Sequence, residues 1–239
     1  MSEWFAALCA LRGASWRLPA RIGTGASTLI MALTCTAYAQ SADFALMAAS
    51  DGGYRYFEIA SEEAALNAKP SQDARVQTVL TQGTLLSNLG CRTEDDALWC
   101  EVVPLGKKRS GFLKAASIRP ASGPDQTVPK GPDDSKTRAQ REDFDFDAQI
   151  KCAQVDGQSL GHCDIQIARS GGGDATAIVT FANGFSRELY FTLGEFTRAS
   201  ATMSGVGRDV AWSLNRGTYR LRVDDQRFEM PAAFILGTP

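Results

Sequence analysis

Residues 88–102 read NLGCRTEDDALWCEV. Cys91 and Cys100 stand nine positions apart, with a polar, acidic loop between them and apolar residues on both flanks. Paired cysteines serve as metal ligands, redox couples or staples. A zinc site wants CxxC-type spacing or histidines, and the only histidine in the chain is His162. A redox pair also wants CxxC. A staple wants an oxidising compartment, so the choice turns on where the chain is sent.

The first residues address that question. Residues 1–21 carry Arg12, Arg17 and Arg21 against the single acid Glu3, and residues 22–36 are uncharged and largely apolar. Ala37-Tyr38-Ala39 follows. A basic region, a short apolar run and an A-x-A site make a secretory signal peptide over 1–39, with cleavage after Ala39. The uncharged run is short for a membrane span, and no later segment offers one. Cys35 is a poor lipidation site, because Thr34 stands where a small Gly, Ala or Ser is wanted.

Export changes the cysteine count. Cys9 and Cys35 leave with the signal, and Cys91, Cys100, Cys152 and Cys163 remain. Three pairings are possible in principle, but each pair brackets its own expected hairpin, so Cys91–Cys100 and Cys152–Cys163 are read as two local disulfides. Loss of the three signal arginines and one glutamate moves the formal charge from -2 to -4. This mild acidity argues against a nucleic-acid or anionic-membrane partner.

Residues 121–142 are rich in proline and charge, with Val128 as their one large aliphatic side chain. They read as a flexible, solvated linker between a module at 44–120 and another at 143–239. The first module alternates short strands with turn signals, at 53–59, 65–70, 75–80, 84–91, 98–104, 110–115 and 117–120, with a possible helical turn over 61–66. That pattern suggests a small barrel.

Leu66-Asn67, Pro70-Ser71, Val76 to Leu80, Gly83, Trp99 and Gly111-Phe112-Leu113 follow one another at spacings that resemble the bacterial SH3 domain family over about 55 residues. Gly90-Cys91-Arg92 with Trp99-Cys100 is similar to an exported sub-group of that family. Ala68-Lys69 departs from the usual aliphatic-Arg, and Phe112 stands where Trp is common. The resemblance implies a partly open five- to seven-stranded barrel used for targeting or recognition beside another domain, often at the cell wall.

The second module is also β-rich, with alternating segments at 144–153, 164–169, 175–181, 187–193, 210–215, 218–223 and 227–231. Turns every 8–12 residues suggest a sandwich or barrel, and Asn183-Gly184 favours a type I′ hairpin. Cys152, Cys163-Asp164, the run Ala168 to Ala175, and Tyr219 to Val223 resemble an uncharacterised domain of exported proteobacterial proteins. That resemblance implies no activity.

Motifs that could carry chemistry read more readily as structure. Ser170-Gly171-Gly172-Gly173-Asp174 lacks the Lys-Ser/Thr and following helix of a phosphate loop and reads as a hairpin loop. Asp143, Asp145 and Asp147 begin like a calcium loop, but Ala148 and Gln154 occupy the positions that need Gly and Glu. His162 adjoins Cys163, but a disulfide would leave it no nucleophile to activate. No catalytic, cofactor or metal residues are expected, and the chain reads as non-enzymatic. Tyr54, Tyr56, Trp99 and Phe112 are the candidate ligand groove, although small barrels also fill their cores with such residues. Trp212 reads as core. Lys107-Lys108-Arg109 is a basic turn, either merely solvated or a contact for acidic wall peptides.

The expectation is thus an all-β, exported, periplasmic protein. An SH3-like barrel would be joined to a disulfide-stapled β-sandwich or barrel. It would bind peptidoglycan or a periplasmic protein as an adaptor, or else serve as inhibitor or accessory subunit of a cell-wall hydrolase.

Overall fold

The structure, a computed structural model, describes residues 47–202 and 206–237. The expected signal peptide and its cleavage site after Ala39 lie outside the described residues. No helix among the described residues is long and apolar enough to cross a membrane.

Period-2 alternation organises both halves. The first sheet has seven strands: β1 (Tyr56–Ile59), β2 (Glu63–Asn67), β3 (Val76–Thr81), β4 (Leu85–Glu94), β5 (Ala97–Pro104), β6 (Gly111–Lys114) and β7 (Ile118–Pro120). Their spatial order is β3-β2-β6-β5-β4-β1-β7. Phe57, Ile59, Leu66, Leu86, Val102 and Leu113 point to one face and make its core. The segment 61–66, where a helical turn was possible, enters β2 instead. Ala64 and Leu66 alternate inward and pair with Leu80 and Thr78, so cross-strand pairing overrides the helical preference of Glu and Ala.

The stretch 88–102 forms the longest hairpin of this sheet. Cys91 lies opposite Cys100, and Asp95 and Asp96 turn the corner with positive φ. The pair is a disulfide, and Cys100 is buried in the core.

The second sheet has eight antiparallel strands and forms a nearly closed barrel. They are β8 (Phe146–Ala153), β9 (Gly161–Gly171), β10 (Asp174–Thr180), β11 (Ser186–Thr192), β12 (Glu195–Ala199), β13 (Val210–Asn215), β14 (Thr218–Val223) and β15 (Gln226–Pro231). The order is β12-β11-β10-β9-β8-β15-β14-β13. Ile165, Ile167, Leu189, Phe191, Tyr219, Phe228 and Met230 fill it. Cys152 and Cys163 are bonded across β8 and β9. The short β12 carries no strong sequence signal. The loop at Asn183-Gly184 is not type I′, since only Gly184 has positive φ. Asn183 is held instead by hydrogen bonds to Phe185 and Gln154.

The segment 121–142 departs from a freely solvated linker. Helix α1 (Ser135–Gln140) buries Ser135 and Ala139 against the eight-stranded barrel, where the Ser135 hydroxyl meets that of Thr176 at 3.0 Å. Ala121 N–H donates to Tyr56, and the backbone N–H of Arg55 donates to Pro129. Gly123 packs on Gly172 so closely that a Cβ would come within 2.1 Å of its carbonyl oxygen. Small residues and proline let this backbone lie flat between the two sheets. Composition records the prolines and charges of such a segment but not what covers them.

Candidate functional site

Alternation along β5 sends Cys100 and Val102 into the core and Trp99 and Glu101 to the outer face. Trp99 pairs laterally with Arg92 and Lys114, and Glu101 with Phe112. Trp99 and Phe112 therefore share one outer surface. Trp99 is only 2% exposed, with the Lys114 ammonium 5.9 Å from its ring centre. Phe112 is half-buried beneath the Arg92 guanidinium, at 5.0 Å.

The other two aromatic candidates lie elsewhere. Tyr54 stacks edge-on with Phe57 and lies under Lys130. Tyr56 is buried and donates its hydroxyl to Asp174 of the eight-stranded barrel at 2.9 Å. Burial, then the Asp174 charge, drives its phenol pKa up. Trp99 and Phe112 thus lie side by side on one surface, while Tyr56 sits at the junction of the two sheets.

Trp99 does line a cleft. It measures about 310 Å³ and is bounded by Glu63, Ala65, Asn67, Gln72, Val76 and Lys114. Asn67 is 6% exposed, and its side-chain NH₂ donates to the Ser71 carbonyl. Its Oδ1 is buried without a hydrogen-bond partner. A buried acceptor left unpaired costs about 1–3 kcal/mol.

Val76 also borders a second cleft, of about 490 Å³, on the far side of the edge strand β3. Its apolar floor is Leu66, Leu80 and Pro104, and its rim carries Arg75, Lys107, Lys108 and Arg109. The basic turn of the sequence is thus the rim of a concavity. The two clefts meet at Val76, which is 49% exposed.

The glycine-rich loop is a hairpin end whose last residue is the chief polar contact between the sheets. Asp174 is fully buried and accepts from Arg55 at 2.6 Å, from the Tyr56 hydroxyl and from the Leu193 N–H. Burial pushes its carboxyl pKa up, against the pull of Arg55 and Leu193. Arg55 also donates to the carbonyls of Lys130, Gly131, Pro132 and Ser170. No local signal in the sequence marks this pair, since its members are 119 positions apart.

Asp143 and Asp145 both grip Arg138 of α1. His162 is exposed, and its neighbour Cys163 is in a disulfide. Among the described residues, no group of three or more His, Cys, Asp or Glu side chains could hold a metal ion. No family model, curated protein or solved structure matches this chain.

Proposed function

We propose that this is an exported, non-catalytic binding or adaptor protein. Its SH3-like first module takes an extended, carboxylate-bearing chain such as cell-wall peptide or glycan. The observation that carries this reading is the pair of clefts meeting at Val76, one with a buried Trp and an unpartnered amide oxygen, the other with a rim of four cations. An extended ligand laid along the exposed edge strand β3 reaches both clefts. It presents anions to Arg75 and Lys107–Arg109. The two disulfides agree with an oxidising compartment, and a periplasmic location after cleavage at Ala39 completes the reading.

The test is sedimentation of residues 40–239 with peptidoglycan sacculi at low and moderate salt. The chain is expected to pellet with the sacculi, and a variant with Lys107, Lys108 and Arg109 all changed to Gln is expected to bind at least about tenfold more weakly, a loss of roughly 1.4 kcal/mol. Equal pelleting of that variant would remove the basic cleft from the site. Failure of the unmodified chain to pellet would remove the wall ligand and favour a protein partner, as an inhibitor or accessory subunit would have.

A further inference from the structure

In the second sheet β13 closes the strand order, and among the described residues no strand pairs with its outer side. Arg216 and Gly217 both have positive φ, 48° and 74°, which makes the β13–β14 connection a two-residue type I′ turn. Asn215 and Thr218, which flank it, then form a hydrogen-bonded pair. Bonding alternates along an antiparallel ladder. Ser213 and Ala211 therefore bond inward to β14, while the N–H and C=O groups of Leu214, Trp212 and Val210 face the open edge.

Those same three residues carry exposed apolar side chains: Leu214 45%, Trp212 39% and Val210 37%. They lie opposite Tyr219, Leu221 and Val223, which are buried in the barrel. The interior face of the barrel thus runs past its last covered strand into solvent. Trp212, expected as core, is on this face but lacks a covering strand. Natural sheet edges are commonly guarded by a proline, a lysine or an inward charge, and none occurs in β13, whose sequence is VAWSLN.

The opposite face has the contrary character. Ala211 and Ser213 are small and lie beside Arg222 and Arg220. With Arg227 and Leu160 these residues bound a groove of about 340 Å³. Arg222 sits directly across from Arg227, a like-charge pairing that weakens a sheet. Asp209 takes both terminal nitrogens of Arg222, and Glu229 takes Arg220. Arg227 donates to the Gln158 carbonyl, and its Nε is buried without a partner.

We propose that β13 docks an extended segment of a partner protein in which acidic and apolar residues alternate, added as a ninth strand. The open main-chain groups of Val210, Trp212 and Leu214 supply the ladder. A strand's period of two places one set of its side chains on the Trp212 face and the other beside the arginines. Three arginines against the two carboxylates Asp209 and Glu229 leave that face with an excess of positive charge, which selects acidic residues for the second set. It also disfavours a second copy of β13 as the occupant, because VAWSLN has no carboxylate to offer. This site is independent of the clefts on the first sheet.

The experiment titrates residues 40–239 with a seven-residue peptide alternating glutamate with valine and leucine. A lysine-for-glutamate counterpart serves as control, and amide hydrogen exchange is followed residue by residue. The glutamate peptide is expected to slow exchange at Val210, Trp212 and Leu214. It should bind at least about tenfold more tightly than the lysine peptide, with the ratio falling as salt rises. A double variant, Arg222→Gln with Arg227→Gln, should erase that ratio while still unfolding in a single cooperative transition. Equal binding of the two peptides would overturn the proposal. So would the absence of protection with either peptide. Slow exchange of these three amides before any peptide is added would show the edge already occupied, by a second copy or by the chain's own residues 1–46, and would overturn it too.

Discussion

Arg55 and Asp174 are a buried ion pair, with side chains 6% and 0% exposed. Removing one partner of such a pair strands a charge in a low-dielectric interior, which costs about 3–5 kcal/mol. Asp174→Ala is therefore expected to lose that much stability in a urea titration. Combining Arg55→Met with Asp174→Leu should cost less than the two single changes together, because neither charge is then stranded. Additive losses would mean that the pair is not coupled.

Arg138 supports a prediction about pH. Its hydrogen bonds lower the pKa of the exposed Asp143. At Asp145, partial burial pushes the pKa up, but Arg138 and the Arg169 N–H more than offset it, so that carboxyl is lowered too. Carboxyls with depressed folded pKa values stabilise the fold above their unfolded value, about 4, and lose that contribution as pH falls through the folded value. The melting temperature of Arg138→Gln should thus lie below that of the unmodified chain at pH 6, with the gap closing as pH falls below about 4. A gap that is constant from pH 6 to pH 3 would exclude the carboxylates as its source.

Hairpins carry the disulfides. Cys91–Cys100 joins β4 to β5 with a sequence separation of 9, and Cys152–Cys163 joins β8 to β9 with a separation of 11. Closing loops of this length restricts the unfolded chain by an amount worth roughly 2–3 kcal/mol each. Replacing either pair with alanines should reduce unfolding free energy by about that amount. Mass spectrometry of the unreduced chain should find no peptide linking the first pair to the second. Strand β12 shows the weakness of reading elements one by one. Its five residues, EFTRA, bury only Phe196 and Ala199, too few for alternation to stand out.

Across the whole molecule, residues 121–142 set how the two sheets meet. Gly123 lies so close to the Gly172 carbonyl that Gly123→Ala must shift backbone, and overpacking of this kind costs typically about 1–3 kcal/mol. Trypsin should cleave slowly at Lys130, Lys136 and Arg138 in the unmodified chain and faster in Gly123→Ala. Rapid cleavage of the unmodified chain would contradict the packed segment. The same packing brings the Tyr56 hydroxyl to Asp174.

The all-β class, both disulfides and most strands were legible in the sequence because each rests on neighbours within a few residues. Apolar and polar residues alternate at strand period, turn residues punctuate them, and each cysteine pair spans one hairpin. What covers each face was not legible. Trp99 on an outer face became buried, whereas Trp212, on a face continuous with the core, is exposed because its strand has no neighbour beyond it. Arg55 found its counter-ion far along the chain, and a proline-rich segment found a bed between two sheets. Local pattern decides which way a side chain points. Only the packing of distant segments decides what it meets there.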